Sequence, residues 1–393
     1  MQALDGITVL DLGRGYPPAH SAMFLGDFGA RVIRVDPPVR IGMTRQDEME
    51  TQAERFAAFD RRSRNKETIK INLRSDQGQK VFYRLVKKAD VLLEGFRPGV
   101  MKRLGADYAT LKAINPRLIY CSESGYGPDG PYACIPGHDP CYLSIAGALS
   151  MIGPRDGAPC PPSNYLGDMA GAALHGLIGI LIALIAREKT GKGQFVDVTY
   201  TDSVISLMDM ETIPFFLTET VPRRGETFVT GAVAWSNVYQ CKDGEYFSVA
   251  CGEIHFWENL CRAIQREDLI PYHSYPPSEQ DEGIKELANI FLTKTRDEWW
   301  AFLKDKDTCV APVYYINEAV RDPQVLHRGM VLELDHPTLG SVRQIGFPIK
   351  LSDTPARIKS LGSVVGSDTL KILEELGYSR EDMRGLQNEK AVG

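Results

Sequence analysis

Along the first hundred residues the apolar positions follow two periods in turn. Residues 7–12, 31–35 and 91–93 are short continuous apolar runs, which read as strands, while 19–28 and 76–87 carry apolar residues at helical spacing. The helix-then-strand step repeats at 108–114 and 117–121. Strands separated by helices argue for a parallel sheet covered on both faces, so the expected fold class is α/β. From about residue 195 the texture changes: a strand feeds a helix, and the Gly-, Thr- and Arg-rich stretch 223–231 reads as loop. Residues 238–241 and 246–250 flank Lys242-Asp243-Gly244, a hairpin signal carried by Asp-Gly. Helices are expected at 256–264, 286–291 and 296–304, giving a smaller α+β domain over 223–325. The larger, Rossmann-like domain then combines 1–222 with 326–393. Within its C-terminal part, 336–355 is strand-like and punctuated by proline, and an amphipathic helix near 368–375 precedes a polar tail.

Composition narrows the class. A chain of 393 residues at about 150 per domain predicts two or three domains. Its 43% apolar and 24% charged content excludes disorder and collagen. A net charge of −6 lacks the basic field of a nucleic-acid binder, so no nucleic-acid partner is expected. The opening MQALDGITVLDLG places Asp5 and Asp11 around its apolar stretch without a basic flank, unlike a secretory signal. Eight cysteines, at 121, 134, 141, 160, 241, 251, 261 and 309, show no CxxC spacing, which fits a reducing, cytoplasmic setting with most thiols as small core residues. The apolar run 170–186 falls about three residues short of a membrane span, contains His175 and begins beside Asp168. It reads as a buried helix, and no membrane partner is expected.

Charge is uneven along the chain. Between Arg61 and Arg103 thirteen Lys and Arg stand against four Asp and Glu. Such a segment is either the solvated faces of two helices or a surface for a small polyphosphate ligand. Arg97 and Arg103 favour the second reading, because Glu94-Gly95-Phe96-Arg97-Pro98-Gly99 follows a buried strand, where open α/β sheets bind ligands. A dinucleotide fingerprint is only mimicked: Gly13-Arg14-Gly15 follows the first strand and Asp36 ends the second, but Pro17 and Pro18 stand where helix-start amides would hold a pyrophosphate.

Three segments place ionisable groups at the ends of regular structure. The first runs from Ser124-Gly125-Tyr126-Gly127 to Pro136-Gly137-His138-Asp139; the second is Asn164-Tyr165-Leu166-Gly167-Asp168-Met169-Ala170-Gly171, opening the long apolar helix; the third is Cys251-Gly252-Glu253 after a strand. Alone, Asp168 fits a helix N-cap, His138 a satisfied loop histidine and Glu253 a surface acid. Together they fit acid/base chemistry, with the helix start also offering amides to an oxyanion.

Taken in order, the segments resemble the class III CoA-transferase and α-methylacyl-CoA racemase (CaiB/BaiF-like) superfamily. The likeness is carried by LGDFGARVIRVDPP (25–38), DVLLEGFRPGVMKRLG (90–105), NPRLIYCSESGYGPDGP (115–131), GHDPCYLSIAGALS (137–150), NYLGDMAGAALHGLIGILIAL (164–184), KTGKGQFVDV (189–198) and YQCKDGEYFSVACGEIHFWENLC (239–261). The resemblance implies a large Rossmann-like domain built from both ends of the chain, a smaller α+β domain, and an interlocked homodimer. It implies a CoA thioester as the small-molecule substrate, no permanently bound cofactor and no metal.

The resemblance also assigns residues. In family transferases the aspartate matching Asp168 attacks the acyl-CoA thioester and passes CoA onward through an aspartyl-CoA intermediate. In the racemases a histidine matching His138 and an aspartate matching Asp168 flank the α-carbon, and a glutamate matching Glu253 supports the histidine. All three positions are filled, and the glycine-run loop of formyl-CoA transferases is replaced by Thr230-Gly231-Ala232-Val233, so the racemase branch is the closer one. Contacts to CoA map onto Asp36, Leu73, Arg74, Phe96, Arg97 and Arg103. One departure is Pro37, where racemases often carry a basic residue; Arg34 and Arg40 are the candidates to compensate. The expected activity is inversion of a 2-methyl-branched acyl-CoA, with CoA transfer between carboxylic acids, or acyl-CoA binding without catalysis, as the alternatives.

Overall fold

A computed structural model of the chain describes residues 1–13, 15–38, 47–163 and 165–393, and over 47–52 the backbone alone. Six strands, β1 (Thr8–Asp11), β2 (Arg31–Asp36), β3 (Lys66–Lys70), β4 (Val91–Glu94), β5 (Ile119–Ser124) and β6 (Phe195–Thr199), form one sheet in the order β3-β2-β1-β4-β5-β6. Every pairing in it is parallel, as the alternation of strands and helices predicts. The connecting helices are α1 (Tyr16–Asp27), α2 (Asp47–Phe59), α3 (Asp76–Val86), α4 (Val100–Arg103), α5 (Tyr108–Ile114), α6 (Asp139–Ile145), α7 (Leu174–Thr190) and α8 (Tyr200–Ile205).

Both faces of the sheet are apolar because successive strand residues point to opposite sides. Leu10, Ile33 and Leu92 enter one core with Phe82 and Leu85 of α3; Val9, Val32 and Val91 enter the other with Met23 and Leu25 of α1 and Ile180 of α7. The strand β3 escaped sequence reading because its KETIK pattern is mostly polar. It belongs in the sheet because Lys66 is buried with its Nζ 2.8 Å from the Asp11 carboxylate. The expected polar tail is instead a helix, Arg380–Asn388, that buries Met383 and Leu386 and opens with a Ser379–Asp382 capping box.

The chain divides into two compact units, one comprising Met1–Ala146, Ser163–Leu207 and Pro323–Gly393, the other Gly147–Pro162 and Met208–Asp322. This moves 147–162 and 208–222 out of the expected large domain. The reason for the first shift is visible: Arg224 donates to the carbonyls of Pro154 at 3.0 Å and Ser150 at 3.3 Å, tying that segment to the second unit. Within the first unit the hairpin Val331–His336/Gly340–Ile345 is anchored by Arg64. Its guanidinium forks onto Asp27 at 2.9 and 2.6 Å and donates to the Ile345 carbonyl at 2.8 Å, all out of solvent. Losing one partner of such a buried pair typically costs about 3–5 kcal/mol.

The second unit carries the antiparallel strands β7 (Ser236–Gln240), β8 (Tyr246–Ala250) and β9 (Val310–Pro312) with helices α9 (Asp209–Thr218), α10 (Ile254–Ala263), α11 (Asp281–Phe291) and α12 (Arg296–Leu303). Its core centres on Phe247, Trp257, Phe291 and Trp299. The expected helix at 286–291 starts earlier, at Asp281.

Two further expectations need correction. The long apolar helix is continuous from Tyr165 to Thr190, long and apolar enough by length and composition to cross a membrane. Only one face is buried, through Leu177, Ile180, Ala183 and Leu184, whereas Ile178, Ile182 and Ile185 are 50%, 60% and 63% exposed. The thiols divide as well: Cys121, Cys241, Cys251 and Cys261 are buried, and Cys134, Cys141 and Cys160 are exposed.

Candidate active site

In a parallel sheet all the loops that follow the strands emerge at one edge, and the predicted ligand-binding residues fall there. Asp36 ends β2, Leu73 and Arg74 lie between β3 and α3, Phe96 and Arg97 follow β4, and Arg103 ends α4. Arg74, Arg97 and Arg103 are exposed, and Leu73 and Phe96 are half-buried. Arg34, considered as a substitute for the base missing at Pro37, is engaged by Asp36 at 2.8 Å. Arg40 lies outside the described residues, as do Arg14 and Asn164. The first turn of α1 contains Pro17 and Pro18, so the amides a pyrophosphate would need are missing there. Among the described residues no cluster of His, Cys, Asp or Glu is placed to hold a metal ion.

The loop after β5 delivers His138. Tyr142 of α6 packs edge-on against Tyr126 and Tyr200 and donates its hydroxyl hydrogen to the Gly137 carbonyl at 2.6 Å. This pins the residue before α6, and His138 stands there with extended backbone and an exposed side chain.

Asp168 lies inside a π-wound segment, Tyr165–Ala173, that runs directly into α7. Such wide turns are rare and frequent at functional sites. The cap of this helix start is Asp139, not Asp168: the buried Asp139 carboxylate accepts the Asp168 N–H at 2.7 Å. Gly167 permits the approach, since a Cβ there would sit 2.6 Å from Asp139 Oδ1. Two expectations change accordingly. Asp168 is no N-cap, and its own amide is committed to a protein carboxylate instead of being free for an oxyanion.

The Asp168 carboxylate has no hydrogen-bond partner among the described residues. Its pKa is pushed up to about 6, first by burial and next by the neighbouring Asp139 charge, while His138 pulls it down. The imidazole therefore lies within electrostatic reach of the carboxylate. Arg97 belongs to the same neighbourhood: the Tyr142 hydroxyl, pushed up to about 12 mainly by burial, feels Asp168 raising it and Arg97 lowering it. Glu253 stands on the second unit, exposed, as the residue before α10.

Sequence reasoning gave no role to Asp139, Tyr142 or Glu123. For Asp139 a signal existed, an acid followed by proline directly after the candidate histidine, which suits the first turn of a helix.

A twisted parallel sheet with an imidazole and a raised-pKa carboxylate beyond its carboxyl edge defines an α/β enzyme acting on a small ligand. The family model of CoA-transferase family III matches residues 4–369. An α-methylacyl-CoA racemase from Homo sapiens is 33% identical over 391 residues, covering 99% of this chain and 97% of that one. The α subunit of a succinyl-CoA–L-malate CoA-transferase from Chloroflexus aurantiacus is 31% identical over 397 residues, with coverages of 99% and 92%. Among solved structures, a CaiB/BaiF family protein from Brucella suis superposes with a TM-score of 0.80 at 27% identity, over 95% of this chain and 99% of its own. The chain belongs to CoA-transferase family III. It is an acyl-CoA enzyme of the group that holds both transferases and racemases.

Any reaction that needs ionised Asp168 loses activity as pH falls through about 6, since a raised carboxyl pKa protonates the group early. Asp139→Asn keeps an oxygen to accept the Asp168 N–H but removes the negative charge, so the acidic limb of the kcat/KM profile is expected to move to lower pH. An unmoved limb would show that the Asp139 charge does not tune Asp168.

Proposed function

We propose that the protein inverts the α-carbon of 2-methyl-branched acyl-CoA thioesters, with His138 and Asp168 as the two acid/base groups. One group removes the α-proton, and the C–H electron pair moves into a C=C bond as the thioester carbonyl becomes an enolate oxygen. The other group then delivers a proton to the opposite face, restoring the carbonyl. The observation that carries this reading is an imidazole within electrostatic reach of a carboxylate whose pKa is pushed up to about 6, so that the carboxylate exchanges its proton near neutral pH. The CoA moiety, arriving with the substrate, is assigned to Asp36, Leu73, Arg74, Phe96, Arg97 and Arg103. The exposed arginines among these suit its phosphates.

The second reading is CoA transfer: Asp168 attacks the thioester carbon and CoA thiolate leaves, giving a mixed anhydride; the thiolate then attacks the aspartyl carbonyl, expelling the donor carboxylate and giving an aspartyl-CoA thioester, from which an acceptor carboxylate takes CoA by the same two steps in reverse. The unpartnered carboxylate and the 31% identity to a transferase subunit favour keeping it. We further infer an interlocked homodimer, in which a second copy covers apolar side chains left exposed here, Ile178, Ile182 and Ile185 of α7 and Phe216 and Leu217 of α9.

Incubation in deuterated water separates the two reactions. The inversion reading expects α-deuterium in the acyl-CoA without any acceptor acid, and His138→Ala should slow its entry by about a hundredfold or more. Label passing from CoA to free acids, with no α-exchange and with hydroxylamine capturing Asp168, would replace inversion by transfer. Arg97→Ala and Arg103→Ala are each expected to raise the acyl-CoA KM about tenfold with kcat little changed, as loss of a charge-assisted phosphate contact does; unchanged KM values would remove them from the CoA site. Sedimentation should give twice the 43.7 kDa chain mass, and a concentration-independent monomer would end the dimer proposal.

A further inference from the structure

Glu123, next to last in β5, is enclosed at 1% exposure. Ser21 of α1 places its Oγ 2.7 Å from Glu123 Oε1, 2.8 Å from the Ala173 carbonyl oxygen and 3.2 Å from the Pro17 carbonyl oxygen. Glu123 Oε2 is buried without a hydrogen-bond partner among the described residues. The carboxyl group lies against the first turn of α7 at Gly176, where a Cβ would stand 2.1 Å from Oε1. Only glycine leaves room for it.

Counting hydrogens decides the protonation state. Ser21 has one hydroxyl hydrogen, and carbonyl oxygens only accept. With Glu123 ionised, that hydrogen serves a single neighbour and the other close oxygen faces Ser21 lone pair to lone pair. Oε2 would then hold buried negative charge with no donor. With a proton on Oε1, Glu123 donates to Ser21 and Ser21 donates to Ala173, so both short contacts become hydrogen bonds. The surrounding charges agree. Asp11 of β1, Glu94 of β4 and Asp168 all disfavour a further negative charge; Cys121 on the same strand and Tyr200 of α8 are the other titratable neighbours. Asp11 is paired with Lys66, and Glu94 is held by the Ser122 hydroxyl at 2.5 Å and the Phe96 amide at 2.7 Å.

Ala173 is the last residue of the π-wound segment that presents Asp168. We propose that Glu123 is a neutral carboxylic acid that donates to Ser21 and through it holds the Ala173 carbonyl, making Glu123 and Ser21 positioning residues for Asp168. The positioning role rests on the reading that Asp168 is the working carboxylate; the protonation state does not. Burial and the neighbouring acids push the Glu123 pKa up to about 8 from an ordinary 4.5, so the folded protein keeps this proton at neutral pH. A group raised in this way favours the folded state least at high pH: stability declines as pH rises from about 4.5 to about 8.

The test compares the native protein with Glu123→Gln, Glu123→Ala and Ser21→Ala. The infrared difference spectrum of native minus Glu123→Gln at neutral pH is expected to show the carbonyl stretch of a protonated acid. A carboxylate band alone overturns the proposal, whether or not the enzyme's reaction is correctly assigned. For whichever reaction Asp168 performs, exchange or CoA transfer, Glu123→Gln retains a donor and is expected to keep kcat within about threefold, whereas Ser21→Ala and Glu123→Ala lose about tenfold or more with acyl-CoA KM unchanged. The glutamine variant should also show a smaller stability decline between about pH 4.5 and 8 than thermal unfolding of the native protein gives. Native kcat in the alanine variants, or a glutamine variant as slow as alanine, overturns the positioning role. If the alanine variants do not fold, the infrared band, the pH dependence of unfolding and the glutamine kcat still decide it.

Discussion

A parallel sheet buried on both faces brings its polar strand ends together at its edges, and here the carboxyl edge gathers acids. Asp11 ends β1, Asp36 ends β2, Glu94 ends β4 and Glu123 stands one residue from the end of β5. Acids buried in low dielectric must each be met by a partner or a proton. Lys66 meets Asp11, Arg34 meets Asp36, Ser122 and the Phe96 amide meet Glu94, and Ser21 with a bound proton meets Glu123. An edge so compensated does not repel a polyanion. The exposed Arg74, Arg97 and Arg103, which have no ion-pair partner among the described residues, add positive charge on that side.

The alternating texture of the first 125 residues was enough to predict the parallel α/β sheet, because burial on both faces leaves short apolar runs that are hard to mistake. Elements with polar sequence were harder. KETIK hides a strand because its lysine is neutralised by an acid on a strand two places away in the sheet, a long-range pairing no local window contains. The helix Arg380–Asn388 hides behind a charged composition, although its capping box and the spacing of Met383 and Leu386 were readable. The unit boundary was misplaced because Arg224 recruits 147–162 through backbone carbonyls, which carry no signature in sequence.

The site was legible to a different degree. His138 and Asp168 were singled out from their loop and helix-start settings together with the family resemblance, and the imidazole lies within electrostatic reach of the carboxylate. Asp139 was adjacent and received no role, since its function is to accept an amide from a segment 29 residues away. Glu123 was invisible for a related reason: a glutamate in a strand reads as an edge or solvent position, and only the glycine at 176 and the serine at 21 make room and partners for it.

The two chemistries of the family ask different things of the same aspartate. A nucleophilic carboxylate needs an open path to a thioester carbon, and its nucleophilicity too rises with its basicity. Proton transfer from a weakly acidic carbon gains directly from a more basic carboxylate, since the driving force for abstraction rises with the base's pKa until protonation in solvent removes it. Burial and the Asp139 charge raise Asp168 to about 6, while His138 keeps it from rising further. Neutralising Asp139 would lower the Asp168 pKa, and removing the His138 charge would raise it. The proposed inversion rests on this raised carboxylate and on the imidazole within its electrostatic reach.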